Sequence, residues 1–80
     1  MNLEEYLQQV VKCELKWMYH YDIDDPSFGI ATDKYTWCKG VLDGNRYVDQ
    51  LLEYFTENYP NDEKHFIDVI RSMMEGGEVV

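Results

Sequence analysis

The residues best suited to chemistry lie in the segment Trp17–Pro26, which reads WMYHYDIDDP. Imidazole and carboxylate groups are common metal ligands and proton carriers in protein sites. The segment supplies both kinds, as His20, Asp22, Asp24 and Asp25. Closely spaced aspartates followed by a proline are equally typical of a turn or a helix cap. The first question is therefore whether this segment is a site or a solvated turn at the end of a helix.

A calcium-binding loop does not fit this segment. An EF-hand loop that began at Asp22 would have Asp24 at its third position and Asp33 at its twelfth. Its fifth position would be Pro26, and its sixth would be Ser27, where the sharp turn of the loop requires glycine. The spacing therefore favours a hydrated acidic turn, with a looser and weaker cation site as the alternative.

The other reactive side chains form no catalytic or metal-binding motif. His65 follows Asp62 by three residues, but the chain contains no H-E-x-x-H and too few histidines and paired cysteines for a zinc site. The serines do not lie in a G-x-S-x-G, and Cys13 and Cys38 fall at apolar helix positions, where reduced and buried thiols are expected. We expect no enzyme activity, no metal and no cofactor. A metal-dependent activity around His20 or His65 is the weakest alternative.

Length and composition indicate one small folded domain over residues 1–80. The chain has 45% hydrophobic and 15% aromatic residues, which is too many for a disordered protein. The N-terminus MNLEEYLQQV has acids where a signal peptide has basic residues, and no stretch of about 18 apolar residues occurs. We expect a cytoplasmic protein whose small size leaves little room for a deep catalytic cleft.

The net charge of −9 is concentrated in two segments. Residues 22–33 contain four aspartates and residues 47–63 contain five acids, and neither segment has a lysine or an arginine. A surface this negative repels phosphate groups, because nucleic-acid binding depends on cationic side chains. We therefore predict no direct binding of nucleic acid or of a membrane.

Helical periodicity predicts an all-α fold, a small bundle of three to four short helices. Asn2 is the expected N-cap of a first helix that runs from Leu3 to Tyr19 or His20. A second helix is expected with its cap at Thr32 or Asp33 and its end at Leu42, and a break at Asp43-Gly44 precedes a third helix over 47–58. Asn61 is expected to cap the last helix, which Gly76 and Gly77 end in a left-handed conformation. The alternative fold is α+β, with a short hairpin within residues 28–48.

Each predicted helix has an apolar stripe. The stripe of the first helix comprises Leu3, Leu7, Val10, Val11, Trp17 and Met18, widened by Tyr6 and Cys13. That of the third comprises Val48, Leu51, Leu52, Phe55 and Tyr59, and that of the last comprises Phe66, Ile67, Ile70, Met73 and Met74. These stripes predict the core.

One acidic pattern is not explained by local stability. Asp49, Glu53 and Glu57 repeat every four residues, so a helix places them in a row about 6 Å apart. Like charges at this spacing destabilise the helix by a few tenths of a kcal/mol per pair. One interpretation is a solvated face that maintains solubility. The other is a row of carboxylates that attracts a cationic partner.

These observations predict a non-enzymatic acidic interaction protein. Its partner would be a basic protein surface, and the sharpest version is an inhibitor that occupies a nucleic-acid-binding groove as a nucleic-acid mimic. The predicted partner-binding residues are Asp49, Glu53, Glu57, Asp22, Asp24, Asp25 and Tyr54, the last because partly exposed aromatic rings are common in interfaces. The alternative is a small structural or regulatory subunit, such as a homodimer, that binds through Met73, Met74 and exposed aromatic rings.

Overall fold

The chain folds into a small bundle of four helices. In a computed structural model that describes residues 1–76, these are α1 (Leu3–His20), α2 (Pro26–Leu42), α3 (Val48–Asn58) and α4 (Lys64–Met74). The predicted all-α fold class is confirmed. The hairpin alternative is wrong, because residues 28–42 are helical and the part of the chain that the structure describes contains no strand.

Helix α1 begins and ends as predicted. The side chain of Asn2 accepts a hydrogen bond from the backbone N–H of Glu5 at 2.8 Å, which satisfies one of the free donors of the first turn. Glu4 and Glu5 lie in that turn, where the positive end of the helix dipole favours carboxylates. The helix ends at His20, inside the segment that contains the aspartates.

Helix α2 begins seven or eight residues earlier than predicted, because its cap is Asp25 rather than Thr32 or Asp33, and Pro26 is the reason. Pro26 occupies the first turn, where its missing N–H has no intrahelical partner to lose. Asp25 is the N-cap, and its carboxylate accepts a hydrogen bond from the N–H of Ser27 at 2.8 Å. Thr32, a predicted cap, instead lies inside the helix, where its hydroxyl donates to the carbonyl of Phe28. The proline therefore starts a helix in this chain rather than excluding one.

Helices α1 and α2 run antiparallel along a seam with alternating spacings of four and three residues. On α1 the seam positions are Leu3, Leu7, Val10, Glu14, Trp17 and Tyr21, the last lying just beyond the helix end. Leu3 and Leu7 lie beside Val41 and Leu42 at one end of α2, whereas Trp17 lies beside its beginning at Pro26. Such spacing is typical of two helices that cross at a small angle.

The connection from α2 to α3 depends on two glycines. Gly44 adopts a left-handed backbone with φ of 81°, which ends α2 at the predicted Asp43-Gly44 break. A Cβ added at Gly40 would lie 2.6 Å from Cδ of Arg46, so glycine lets that side chain cross the helix. The guanidinium of Arg46 then lies 4.1 Å from the centre of the Trp37 ring. The returning chain is thereby held against α2.

Helices α3 and α4 complete the core. Leu51, Phe55 and Ile70 are fully buried, and Phe66 packs edge-on against Phe55 with ring centres 5.1 Å apart. The start of α4 differs from the prediction, because Glu63 rather than Asn61 occupies the cap position and no side chain caps the first turn. Gly76 has the predicted left-handed conformation, with φ of 87°, whereas Gly77 lies outside the described residues.

Three predicted burial states are corrected by the structure. Cys13 is exposed, because it lies one position away from the α1–α2 seam. Trp17 lies on the seam but stays 42% exposed, because the seam opens at that end. Met74 is 39% exposed although the apolar stripe of the last helix predicts it in the core, whereas Met73 is buried as that stripe predicts, so only Met74 is available to the alternative apolar interface. Within residues 1–76, every helix is too short or too polar to cross a membrane.

Candidate functional site

The carboxylates of α3 form a row at the protein surface, as the sequence spacing predicts. Asp49, Glu53 and Glu57, here called the α3 ridge, are all exposed. Leu51 and Phe55 on the other side of the helix are fully buried and hold this orientation. The ion pairs within residues 1–76 leave the three carboxylates of the α3 ridge without a lysine or arginine partner. The ridge therefore presents its charge to solvent.

The position of the α3 ridge along the helix is only partly favourable. Asp49 lies in the first turn, where the helix dipole favours a negative charge, but Glu57 lies in the last turn, where it does not. Each neighbouring pair also repels by a few tenths of a kcal/mol. Burial of Phe55 alone contributes more than these terms, at about 1.5–3 kcal/mol. The ridge is thus maintained by the core beneath it.

The three aspartates before α2 have different roles. Asp25 is exposed, and its carboxylate caps α2 through the N–H of Ser27. The N–H of Asp25 donates to the carbonyl of Asp22 at 2.9 Å, which closes the turn. The carboxylates of Asp22 and Asp24 are exposed and make no hydrogen bond or ion pair within the described chain. We therefore treat Asp22 and Asp24 as available surface charges and Asp25 as a structural cap.

Tyr54, the aromatic residue predicted to bind a partner, is tied into the fold. Its hydroxyl donates to Asp33 Oδ2 at 2.9 Å, and the hydroxyl of Tyr59 donates to the same oxygen at 2.5 Å. These hydrogen bonds to the Asp33 carboxylate, followed by burial, raise the pKa of both phenols. The ring of Tyr54 packs against Trp37, with centres 5.2 Å apart. Tyr54 therefore holds α3 against α2. Its ring is only partly exposed, so only part of it is accessible to a partner.

The sequence interpretation missed a network of three charges between the helices. Lys34 Nζ lies 3.1 Å from Glu14 Oε1 and 2.6 Å from Glu63 Oε1. The three side chains are 12–16% exposed, so the network joins α1, α2 and the start of α4 away from most water. The ammonium also lies 5.0 Å from the centre of the Phe66 ring. The sequence does contain one sign of this network: Glu14 is a carboxylate at a seam position between Val10 and Trp17, where an apolar residue is expected.

A cleft of about 500 Å³ opens beside this charge network. One wall is formed by Glu14, Trp17 and Tyr21 at the end of α1, and the opposite wall by the first three turns of α2. The segment between α3 and α4 contributes Asp62 and Glu63. Trp17 and Tyr21 stack with ring centres 5.6 Å apart and planes inclined by 20°. We refer to this feature as the α1–α2 cleft.

Cys38, His20 and His65 have different surroundings. Burial raises the pKa of the Cys38 thiol to about 12, so at neutral pH the group is protonated and a poor nucleophile. His20 packs against the Trp17 ring, with centres 5.7 Å apart, and His65 is exposed. Across residues 1–76, no three side chains of histidine, cysteine, aspartate or glutamate converge as a metal site would require.

Comparison with known proteins gives no role that could be transferred to this chain. Family models, curated proteins and solved structures were compared with the chain, and none matches it. The functional conclusions below therefore depend on the side chains and their geometry.

Proposed function

We propose that this protein is a non-enzymatic interaction module that binds a basic surface of another protein through the α3 ridge. The observation that carries the proposal is the exposure of Asp49, Glu53 and Glu57 in one row without a cation partner in the described chain. The ridge lies on a short helix that the buried side chains of Leu51 and Phe55 fix against the core. A rigid row of charges is suited to steering a cationic partner and setting its register.

The sharpest form of the proposal is an inhibitor that imitates nucleic acid. Deep basic grooves on proteins commonly bind phosphate backbones. Carboxylates spaced about 6 Å apart on a helix would take the place of phosphates in such a groove. A net charge of −9 in 80 residues prevents the protein from binding nucleic acid itself while attracting proteins that do. Occupation of the groove would then displace the nucleic acid.

Charge-neutralising substitution tests this proposal. The variant Asp49→Asn, Glu53→Gln, Glu57→Gln removes the ridge charge and keeps the side-chain shapes. Its matched control is Glu4→Gln, Glu5→Gln, Glu75→Gln, which makes the same change in net charge at three exposed positions outside α3. The wild-type protein is immobilised, partners are captured from a native cell extract at low salt, and a basic partner recovered by salt elution is purified for titration.

We expect the ridge variant to bind that partner about 5- to 100-fold more weakly, since each exposed ion pair is worth up to about 1 kcal/mol. The control should change affinity by less than about threefold. Wild-type affinity should fall steeply with salt, and the protein should compete with nucleic acid for the partner. Equal effects of the two variants, or binding that is flat with salt, would refute the role of the ridge.

A second candidate function is apolar association, and one observation favours it. Tyr19 and Ile23 are 85% and 79% exposed, and Leu15 and Trp17 are also exposed near the same end of α1. Exposed apolar side chains near one end of a helix are common in subunit contacts. Sedimentation of the protein at high salt distinguishes the two functions, because apolar self-association persists when electrostatic binding is screened.

A further inference from the structure

The α1–α2 cleft is large enough to hold a small ligand. Small side chains in the sequence of α2 explain why it is open. Its volume of about 500 Å³ falls within the range of about 300–1,000 Å³ found for small-ligand pockets. The α2 wall opposite Trp17 includes the small side chains of Ser27 and Ala31, so the two helices leave space between them. The cleft is therefore a consequence of which residues face each other at this end of the seam.

The charges around the α1–α2 cleft are unbalanced. Glu14, Asp62 and Glu63 line it together with Lys34, so three carboxylates face one ammonium. Lys34 lies between Glu14 and Glu63 and cannot neutralise both. Asp62 is exposed and forms no ion pair within residues 1–76. The excess negative charge borders an open cleft and attracts a cation to it.

An aromatic wall adds selectivity for one kind of cation. Trp17 is 42% exposed, stacks on Tyr21 and lies close to His20, and the Trp17 and Tyr21 rings line the cleft together with the carboxylates. A guanidinium group is planar, stacks on aromatic rings and pairs with carboxylates through two parallel hydrogen bonds. An ammonium group is a compact, strongly hydrated charge that does not stack. The combination of indole and carboxylates therefore favours arginine over lysine.

We propose that the α1–α2 cleft binds one arginine side chain of the basic partner, with its guanidinium stacked on Trp17 and paired with Glu63 and Asp62. That the partner is a basic protein is taken from the proposed function. The cleft adds a second contact with this partner, outside the α3 ridge. The protein already contains an arginine on an indole face, since Arg46 lies 4.1 Å from the centre of the Trp37 ring.

A peptide titration tests the cleft directly. The full chain, labelled with ¹⁵N, is titrated at constant ionic strength with acetyl-Gly-Arg-Gly-amide. Matched peptides carry citrulline, which has the shape of arginine without its charge, or lysine. The chain has two tryptophans, so the indole N–H of Trp37 is an internal control for that of Trp17. We expect a saturating shift at Trp17 and at the amides of Ser27 and Lys34, with Trp37 unaffected.

The three peptides should differ in affinity. The citrulline peptide should bind at least about fivefold more weakly than the arginine peptide, because it lacks the charge that draws the group to the ring and the carboxylates. An equal response to citrulline, or no saturating shift at Trp17, would overturn the proposal. An equal response to lysine would overturn the assignment to a guanidinium.

Two variants place the binding on the α1–α2 cleft. Trp17→Leu should weaken the arginine peptide about three- to tenfold, followed through the Ser27 and Lys34 amides. Asp62→Asn changes an exposed residue that the fold does not need, and it should weaken binding about two- to fivefold. Glu75→Gln is the matched control, an exposed carboxylate outside both the α1–α2 cleft and the α3 ridge, and should leave the affinity unchanged. Unaltered affinity in both cleft variants would refute the assignment.

The outcomes of the two proposals are separable. The peptide titration needs no partner, so it succeeds or fails independently of the extract experiment. If the arginine peptide binds and the ridge variant still captures its partner normally, the cleft is retained and the α3 ridge is refuted. If the ridge variant loses its partner and the peptide does not bind, the ridge is retained and the cleft is refuted.

Discussion

Replacing Lys34 by methionine tests whether the buried charge network holds the helices together. Methionine fills a similar volume and keeps an apolar contact with the Phe66 ring, but it removes the ammonium between Glu14 and Glu63. Two carboxylates that are 12% and 15% exposed would then face each other without a cation. Lys39→Met is the matched control, because Lys39 is on the same helix and pairs with Asp43 at the surface.

The size of the effect follows from the burial of the two networks. Removing one partner of a fully buried ion pair costs about 3–5 kcal/mol, and removing an exposed pair costs about 0–1 kcal/mol. Because the Lys34 side chain is only 16% exposed, we expect Lys34→Met to lower the free energy of unfolding by about 2–4 kcal/mol, slightly less than for a fully buried ion pair. The Lys39 side chain is 47% exposed, and its replacement should shift the unfolding midpoint much less than Lys34→Met does.

Urea denaturation followed by circular dichroism measures both variants. A domain of 80 residues has a total stability of about 4–12 kcal/mol, so the expected loss is a large shift of the midpoint. Adding Glu14→Gln and Glu63→Gln to Lys34→Met should restore at least half of the loss, because no charge is then left unpaired. A loss below about 1 kcal/mol, or one equal to that of Lys39→Met, would refute the structural role of the network.

The contribution of Lys34 should also depend on pH. Burial alone would lower the pKa of Lys34, but the hydrogen bond to Glu63 and the charge of Glu14 outweigh it and raise the pKa above the ordinary 10.5. The unfolded chain therefore releases this proton first as the solution becomes alkaline. The stabilisation is complete below about pH 10 and declines as the pH rises through the folded pKa. The difference between wild type and Lys34→Met should shrink accordingly.

Three further outcomes follow from the structure. Gly29→Ala should raise the free energy of unfolding by about 0.5–1 kcal/mol in urea denaturation, because Gly29 lies inside α2 with open space around its Cα. A thiol reagent should modify Cys13 in the native protein and Cys38 only after urea unfolds it, as an absorbance assay would show. Tyr59→Phe should cost about 1–2 kcal/mol at neutral pH by leaving Asp33 with one fewer donor. Because the folded pKa of Tyr59 is raised, this difference should narrow above about pH 10.

Local interactions made much of the fold predictable. The start of α1 follows from Asn2, whose cap involves residues three positions apart, and the break after α2 follows from Gly44. The predicted start of α2 lies too late because the aspartates before Pro26 favour a turn, although a proline is tolerated in a first turn that an aspartate caps. Pro26 is therefore compatible either with a turn or with the start of a helix. The hydrogen bond from the N–H of Ser27 to the carboxylate of Asp25 caps a helix that starts at Pro26.

The charge network and the cleft required information that local spacing does not contain. Glu14 occupies a position of the four-and-three seam pattern, and this was a detectable sign of burial. Its partner Lys34 lies 20 positions along the chain, and Glu63 lies 29 beyond Lys34, so their meeting depends on how three elements pack. The α3 ridge was predictable because its exposure depends on one helix, in which Leu51 and Phe55 are the obvious core positions.

The acids of this protein are retained for different physical reasons, and the comparison identifies which of them need a partner. Asp25 caps a helix, and Glu14 and Glu63 share a lysine inside the fold, so folding accounts for them. Within residues 1–76, no lysine or arginine forms an ion pair with the carboxylates of the α3 ridge. If solubility alone explained the ridge, any three exposed carboxylates would serve equally well, and the two triple variants would lose affinity to the same extent. A loss confined to the α3 variant would instead show that the position of the charges on α3 matters, since both variants change the net charge by the same amount.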